Sequence, residues 1–169
     1  MTTIVTELEL GPSLQLVCAV PAAPRRRQRP PAPLVWIDGA PEPTKVLHAF
    51  ERSGGVWTGA EVERILRRRT AQPISLLARW IVDSLVVSLS SRGDYLLPAF
   101  QFDLANATVR RPVFTVLETL DGSLKDLGLA AWFALPNEWL DGVAPADLID
   151  HDLKAVLDAA RAARLAAHC

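Results

Sequence analysis

The chain has 169 residues, half of them hydrophobic, which is enough for one core-forming domain with a small appendage. Its 18 Lys/Arg against 19 Asp/Glu leave a net charge of −1, which excludes a general nucleic-acid or membrane-surface binder acting by total charge and leaves only local patches. Two cysteines, Cys18 and Cys169, make no disulfide framework and read as reduced thiols.

The amino-terminal stretch has no basic region followed by an apolar core, so no signal peptide is expected. Apolar runs such as Leu85-Val86-Val87 are far short of the ~20 residues that cross a bilayer. A cytoplasmic protein without membrane partners is the expectation. Residues 4–20 predict two strands around a Gly11-Pro12 turn. In the second, Leu14, Leu16, Cys18 and Val20 alternate with Ser13, Gln15, Val17 and Ala19. Leu34-Val35-Trp36-Ile37 predicts a third strand, closed by Asp38-Gly39. Between them, Arg25-Arg26-Arg27-Gln28-Arg29 sits among prolines, which lack a backbone donor, so 22–33 predicts an exposed loop. Seven of the 13 prolines lie between Pro21 and Pro43, and the chain changes character there. The expected division is a β-rich segment over 1–43, a helix-turn-helix-like unit with a hairpin over 44–104, and a helical domain over 105–169.

A short helix is expected over 44–52. Thr58-Gly59-Ala60-Glu61 has the form of a capping box, and Val62, Ile65 and Leu66 follow at helical spacing. That helix should end within Arg67-Arg68-Arg69, whose cations complement its carbonyl end. Pro73 opens a second helix with Leu76, Leu77, Trp80 and Ile81 inward. Residues 85–89 and 95–97 then predict a hairpin about Ser90-Ser91-Arg92-Gly93-Asp94, with Pro98 ending its second strand. By alternation Phe100 and Phe102 should share a core-facing side, with Gln101 opposite.

Pro112 predicts a helix through Phe114, Val116, Leu117 and Leu120, stopped by Asp121-Gly122. Ser123 should cap the next, carrying Leu124, Leu127, Ala131 and Trp132. The run from Trp132 through Pro136-Asn137 and Leu140-Asp141-Gly142 to Pro145 reads as a compact helical module. In it Asn137 caps a turn, Gly142 takes a positive φ, and Pro145 with Asp147 starts a short helix. Asp150 should be the N-cap of a final alanine-rich helix over 152–167, with Leu153, Val156, Leu157, Ala160 and Leu165 on one side and Arg161 and Arg164 on the other. The fold class is α+β, mainly α.

Two short helices followed by a hairpin are the parts of a degenerate winged helix-turn-helix. Its second helix offers only Ser75, Arg79 and Asp83 as polar groups, whereas a base-reading helix presents many. Arg64, Arg67, Arg68 and Arg69 read first as a solvated helix end that complements the dipole, with phosphate contact as the alternative. His48, His151 and His168 are scattered, and His168-Cys169 lacks spaced co-ligands, so no metal is expected. With no Ser/His/Asp or Cys/His motif and no glycine-rich phosphate loop, the chain reads as a binding protein without cofactor rather than an enzyme.

Three pieces, in order, carry a family resemblance: Trp57-Thr58-Gly59-Ala60-Glu61-Val62, then Tyr95-Leu96-Leu97-Pro98-Ala99-Phe100-Gln101-Phe102-Asp103, then the Trp132, Pro136-Asn137, Leu140-Asp141-Gly142, Pro145 module. Together, over 57–150, they resemble bacterial antitoxin-like proteins with an Xre/MbcA/ParS-type toxin-binding domain. The resemblance implies a non-enzymatic antitoxin whose C-terminal helical domain binds a cognate toxin, usually a RES-domain enzyme that consumes NAD. It leaves open a homodimer and repression of the protein's own operon as a DNA-binding regulator. The candidate partner contacts are Trp132, Asn137, Trp139, Leu140, Arg161, Arg164 and Cys169, and the candidate DNA contacts, read from their charge, are Arg67, Arg68, Arg69 and Arg79. Trp132, Phe133 and Leu135 read first as core, with a partner contact as the functional alternative, and the last helix either packs on its own domain or reaches into the partner. The apolar second helix, the long N-terminal extension and Gln72-Pro73 in place of an inter-helix glycine depart from the family.

Overall fold

Proline sets where this chain becomes helical. Its fixed φ suits the first helical turn, where no backbone donor is required, and it stands there in four helices of the computed structural model: α1 (Pro43–Ala49), α3 (Pro73–Val82), α4 (Arg111–Leu120) and α6 (Pro145–Leu148). The structure describes residues 41–91 and 93–168. The strands expected over 4–20 and 34–37, the arginine-rich loop, Cys18, Arg92 and Cys169 lie outside the described residues. The remaining helices are α2 (Gly59–Leu66), α5 (Asp126–Ala134) and α7 (Leu153–Ala167). With 57% of the described residues helical and a small antiparallel sheet, the fold is mainly α with some β.

The capping box at α2 forms as read: the Thr58 hydroxyl accepts from the Glu61 N–H at 3.2 Å, and the Glu61 carboxylate accepts from the Thr58 N–H at 2.8 Å. Both Thr58 donors hold the Glu61 carboxyl below the usual range, the backbone bond contributing most. Strand β1 (Val56–Thr58) was not expected from the sequence. It pairs antiparallel with β3 (Asp94–Pro98), which pairs with β2 (Leu89–Ser91), in the order β1-β3-β2. Helix, strand, two helices and hairpin thus follow in winged helix-turn-helix order, although α1 packs on α5 instead of on α2 and α3. A second ribbon pairs β4 (Phe102–Asp103) with β5 (Thr108–Val109).

The side chains form two cores. Val62, Leu66, Leu77, Trp80, Val86, Leu97 and Phe102 fill the smaller one, between α2, α3 and the sheet. The larger gathers α4, α5, α6 and α7, and also takes Val46, Phe50, Val87 and Phe100. The cores therefore do not divide at residue 104: the first helix and part of the hairpin region belong to the C-terminal one. Within it, α5 is the central helix. Ala130, Ala131, Trp132, Phe133 and Ala134 are consecutively buried, as a helix apolar on all sides requires.

Three readings need correction. First, the hairpin strand expected from Leu85 begins only at Leu89, because the backbone of Val87 is already engaged. The Gln101 side chain accepts the Val87 N–H at 2.6 Å and donates to its carbonyl at 2.9 Å. Second, Phe100 and Phe102 do not share a face. Ala99–Gln101 form a 3₁₀ turn with about three residues per turn, so the two rings diverge. Phe100 stacks on Phe50 in the larger core, at 5.7 Å between centroids, while Phe102 stacks between Trp57 and Trp80 in the smaller, at 6.2 and 5.8 Å. Gln101, expected opposite the core, is fully buried. Third, the caps shift. Ser123 does not cap α5: its N–H closes a turn on the Leu120 carbonyl, and the helix begins at Asp126. Asp152, not Asp150, caps α7 by accepting from the Ala155 N–H at 2.9 Å.

Removing the Gln101 amide leaves two buried backbone groups unpaired. Gln101→Ala should cost about 2–4 kcal/mol in chemical denaturation, with a native-like far-UV spectrum at low denaturant. Glu61 has a depressed folded pKa, so its contribution is present above the unfolded carboxylate pKa and is lost as pH falls through the folded value. The difference in Tm between the wild type and Glu61→Gln should be largest near neutrality and shrink on acidification.

Candidate functional site

Asp141 and Gly142 both take left-handed backbone, with φ of 53° and 81°, and this closes the chain between α5 and α6 into a tight loop. Asn137 holds it at the base. Its side-chain oxygen accepts the Trp139 N–H at 2.9 Å, and its carbonyl accepts from Leu140 and Gly142, both at 2.9 Å. Its own N–H donates to the Val143 carbonyl at 3.3 Å. Leu140 points down into the larger core, and the loop packs on α7. The outcome is that Trp139 and Val143 are left 46% and 41% exposed on a backbone held by internal hydrogen bonds. Large apolar side chains on a pre-ordered loop lose little entropy when a partner covers them.

The expected partner contacts therefore separate. Trp139 is at the surface. Trp132, Asn137 and Leu140 are buried, in keeping with the readings of Trp132 as core and Asn137 as a turn cap. Trp132 lies edge-on to Phe133 at 4.9 Å, and its indole N–H has no acceptor among the described residues. Arg161 is exposed on α7 and pairs with Asp158, which also holds Lys154 at 3.1 Å. Lys154 and Arg161 together keep the Asp158 carboxyl below its usual range, the hydrogen bond from Lys154 first. Arg164 is half-buried, its carbonyl engaged by His168 Nδ1 at 2.7 Å. Helix α7 buries Val156, Ala159, Ala160 and Ala163 against its own domain, so its body is not free to extend into a partner; its outer side presents Arg161 and Leu165.

Of the arginines proposed for DNA, Arg67, Arg68 and Arg69 occupy the corner where α2 leads into α3, and Arg79 stands in the last turn of α3. Arg67 is paired with Glu63 at 2.6 Å, and Arg68, Arg69 and Arg79 are exposed. Arg110 was not singled out by the sequence. Its N–H donates to the Gln101 carbonyl and its guanidinium to the Phe100 carbonyl, both at 2.8 Å, and the guanidinium also pairs with Asp150. It ties the junction of the two cores to the corner before α7. Its local pattern, an arginine before a helical proline, has no signature that distinguishes it from the neighbouring Arg111.

A groove of about 940 Å³ opens between the end of α3, the segment leading to β2, the end of α4 and the start of α5. Leu85, Leu117 and Leu129 contribute apolar walls, while Asp83, Glu118 and Asp126 line its polar side. It could not be read from the sequence because its walls come from segments far apart in the chain. Among the described residues no group of three or more His, Cys, Asp or Glu side chains is placed to hold a metal ion, and His48, His151 and His168 stand on separate elements.

Asn137→Ala should lower stability by about 1–2 kcal/mol, since it removes the acceptor for the Trp139 N–H from a buried position; thermal unfolding measures it. Comparison of the chain with protein-family models, with curated proteins and with solved structures finds no match.

Proposed function

We propose that the chain is an antitoxin-like protein that binds and neutralises a cognate toxin, with the Asn137–Val143 loop and the outer side of α7 as the gripping surface. The observation that carries the docking part of this reading is the half-exposed Trp139 on a hydrogen-bonded loop. Tryptophan is enriched among the few interface residues that supply most binding energy, and a loop already ordered before contact favours that role. Leu165 and Arg161, exposed on α7, the helix on which the loop packs, offer one apolar and one cationic group.

The antitoxin identity and a RES-domain, NAD-consuming partner rest on the resemblance of the Trp57–Val62, Tyr95–Asp103 and Trp132–Pro145 pieces. The alternative, a DNA-binding transcriptional regulator, draws its support from the winged order of elements. The toxin reading uses cytoplasmic placement and needs no cofactor. Among the described residues no helix is long and apolar enough to cross a membrane, in keeping with a partner met away from the bilayer.

Co-expression with a RES-domain protein should give a complex that survives gel filtration at micromolar concentration, and separate elution would sink the reading. Within such a complex, Trp139→Ala should weaken binding at least about tenfold by titration calorimetry, or about 1.4 kcal/mol. Truncating α7 is the wrong experiment, because it opens the larger core.

A further inference from the structure

We propose that the outward face of α3 is a second docking surface, and that its occupant is an amphipathic helix of a protein partner whose apolar seam is bordered by carboxylates. Helix α3 buries Leu77 and Trp80 in the smaller core. Its exposed positions are Ile74, Ser75, Ala78, Arg79 and Val82, followed by Asp83 at the cap. Ile74, Ala78 and Val82 recur at intervals of four, so they form one stripe along the helix, about 12 Å from end to end. Ile74 is 62% exposed and Val82 is 79% exposed. A small residue between two larger ones leaves a shallow saddle at Ala78 into which a partner side chain fits.

Charge chooses the occupant. Arg79 borders the stripe, and Arg64, Arg68 and Arg69 stand on the α2 end that leads into α3. Among the described residues none of these four has a carboxylate within ion-pair distance, whereas Arg67 is matched by Glu63. An apolar stripe bordered by the Arg79 guanidinium, with Arg64, Arg68 and Arg69 on α2 and the turn that leads into α3, complements an apolar seam flanked by carboxylates, and arginine is well suited to bind these bidentately. A helix lying in that seam is a recurrent recognition mode, read through anchors one turn apart.

The same face suits nucleic acid poorly. Base edges are read by donors and acceptors, yet the centre of this face is alkyl, with Ser75 and Arg79 its only exposed polar side chains before the cap. A second copy of the chain would bring the same cationic border against itself. This surface lies on α3, apart from the loop bearing Trp139, so the proposal stands or falls independently of the toxin reading.

The test uses the full chain and a fluorescein-labelled synthetic helical peptide of roughly 18 residues, with leucines spaced three and four apart and glutamates beside them. Fluorescence anisotropy should show saturable binding in the micromolar range. Val82→Glu and Ile74→Glu should each weaken it at least about tenfold, and Arg79→Glu several-fold, with unchanged circular dichroism because all three positions are exposed. A peptide with serine in place of leucine, and one with lysine in place of glutamate, should bind at least about tenfold more weakly. The proposal is overturned if no saturation occurs up to about 100 μM, or if Val82→Glu leaves binding unchanged. It is equally overturned if a random-sequence DNA duplex binds more tightly than the peptide, or if sedimentation shows a dimer that Val82→Glu dissolves.

Discussion

One buried amide joins the two halves of this molecule. Gln101 has both ends of its side chain committed to the backbone of Val87, and so it does for that residue what a neighbouring strand would otherwise do. A buried backbone N–H and C=O must be paired, and an unmade pair in a low-dielectric interior costs more than a made one gains. That requirement delays the hairpin until Leu89, and it holds the chain where Phe100 and Phe102 can turn into different cores. Arg110 secures the same turn from the opposite direction, through the carbonyls of Phe100 and Gln101, and passes the constraint on to Asp150. The smaller core and the helical domain are thereby connected through backbone polar groups as well as through apolar contact.

With the junction settled, the two surfaces that offer binding chemistry lie on opposite kinds of support. The Trp139 loop stands over the larger core, anchored by Leu140 below and closed by Asn137 at its base. The α3 face stands over the smaller core, anchored by Leu77 and Trp80. In each case buried side chains lie beneath an exposed apolar group. This division of labour separates Trp132, which packs on Phe133, from Trp139, which is presented to solvent, although both are tryptophans of the same module.

Much of the local structure was legible because its causes are local. Proline at the start of α1, α3, α4 and α6, the Thr58/Glu61 capping box, and the left-handed Asp121-Gly122 and Asp141-Gly142 stops are each written in a few adjacent residues. The errors also have local causes. Asp150 and Asp152 are equivalent as caps on paper, but a turn on the Leu148 carbonyl starts α7 at Leu153 and makes Asp152 its cap, while Asp150 pairs with Arg110. Ser123 follows a stop and precedes a helix, yet the turn after Leu120 takes its N–H first. Strand β1 is too short to show a period, and its partner β3 lies about forty residues further on.

Sequence alone determined the mainly helical class and most helix starts and stops, because propensity, capping and periodicity act within a turn or two of the chain. Tertiary structure alone decided which residues are surface and which are support. Whether Trp132 or Trp139 is exposed, whether Gln101 faces solvent or a backbone, and whether α3 presents an apolar stripe all depend on what packs against each side, and long-range packing leaves no periodic mark in the chain.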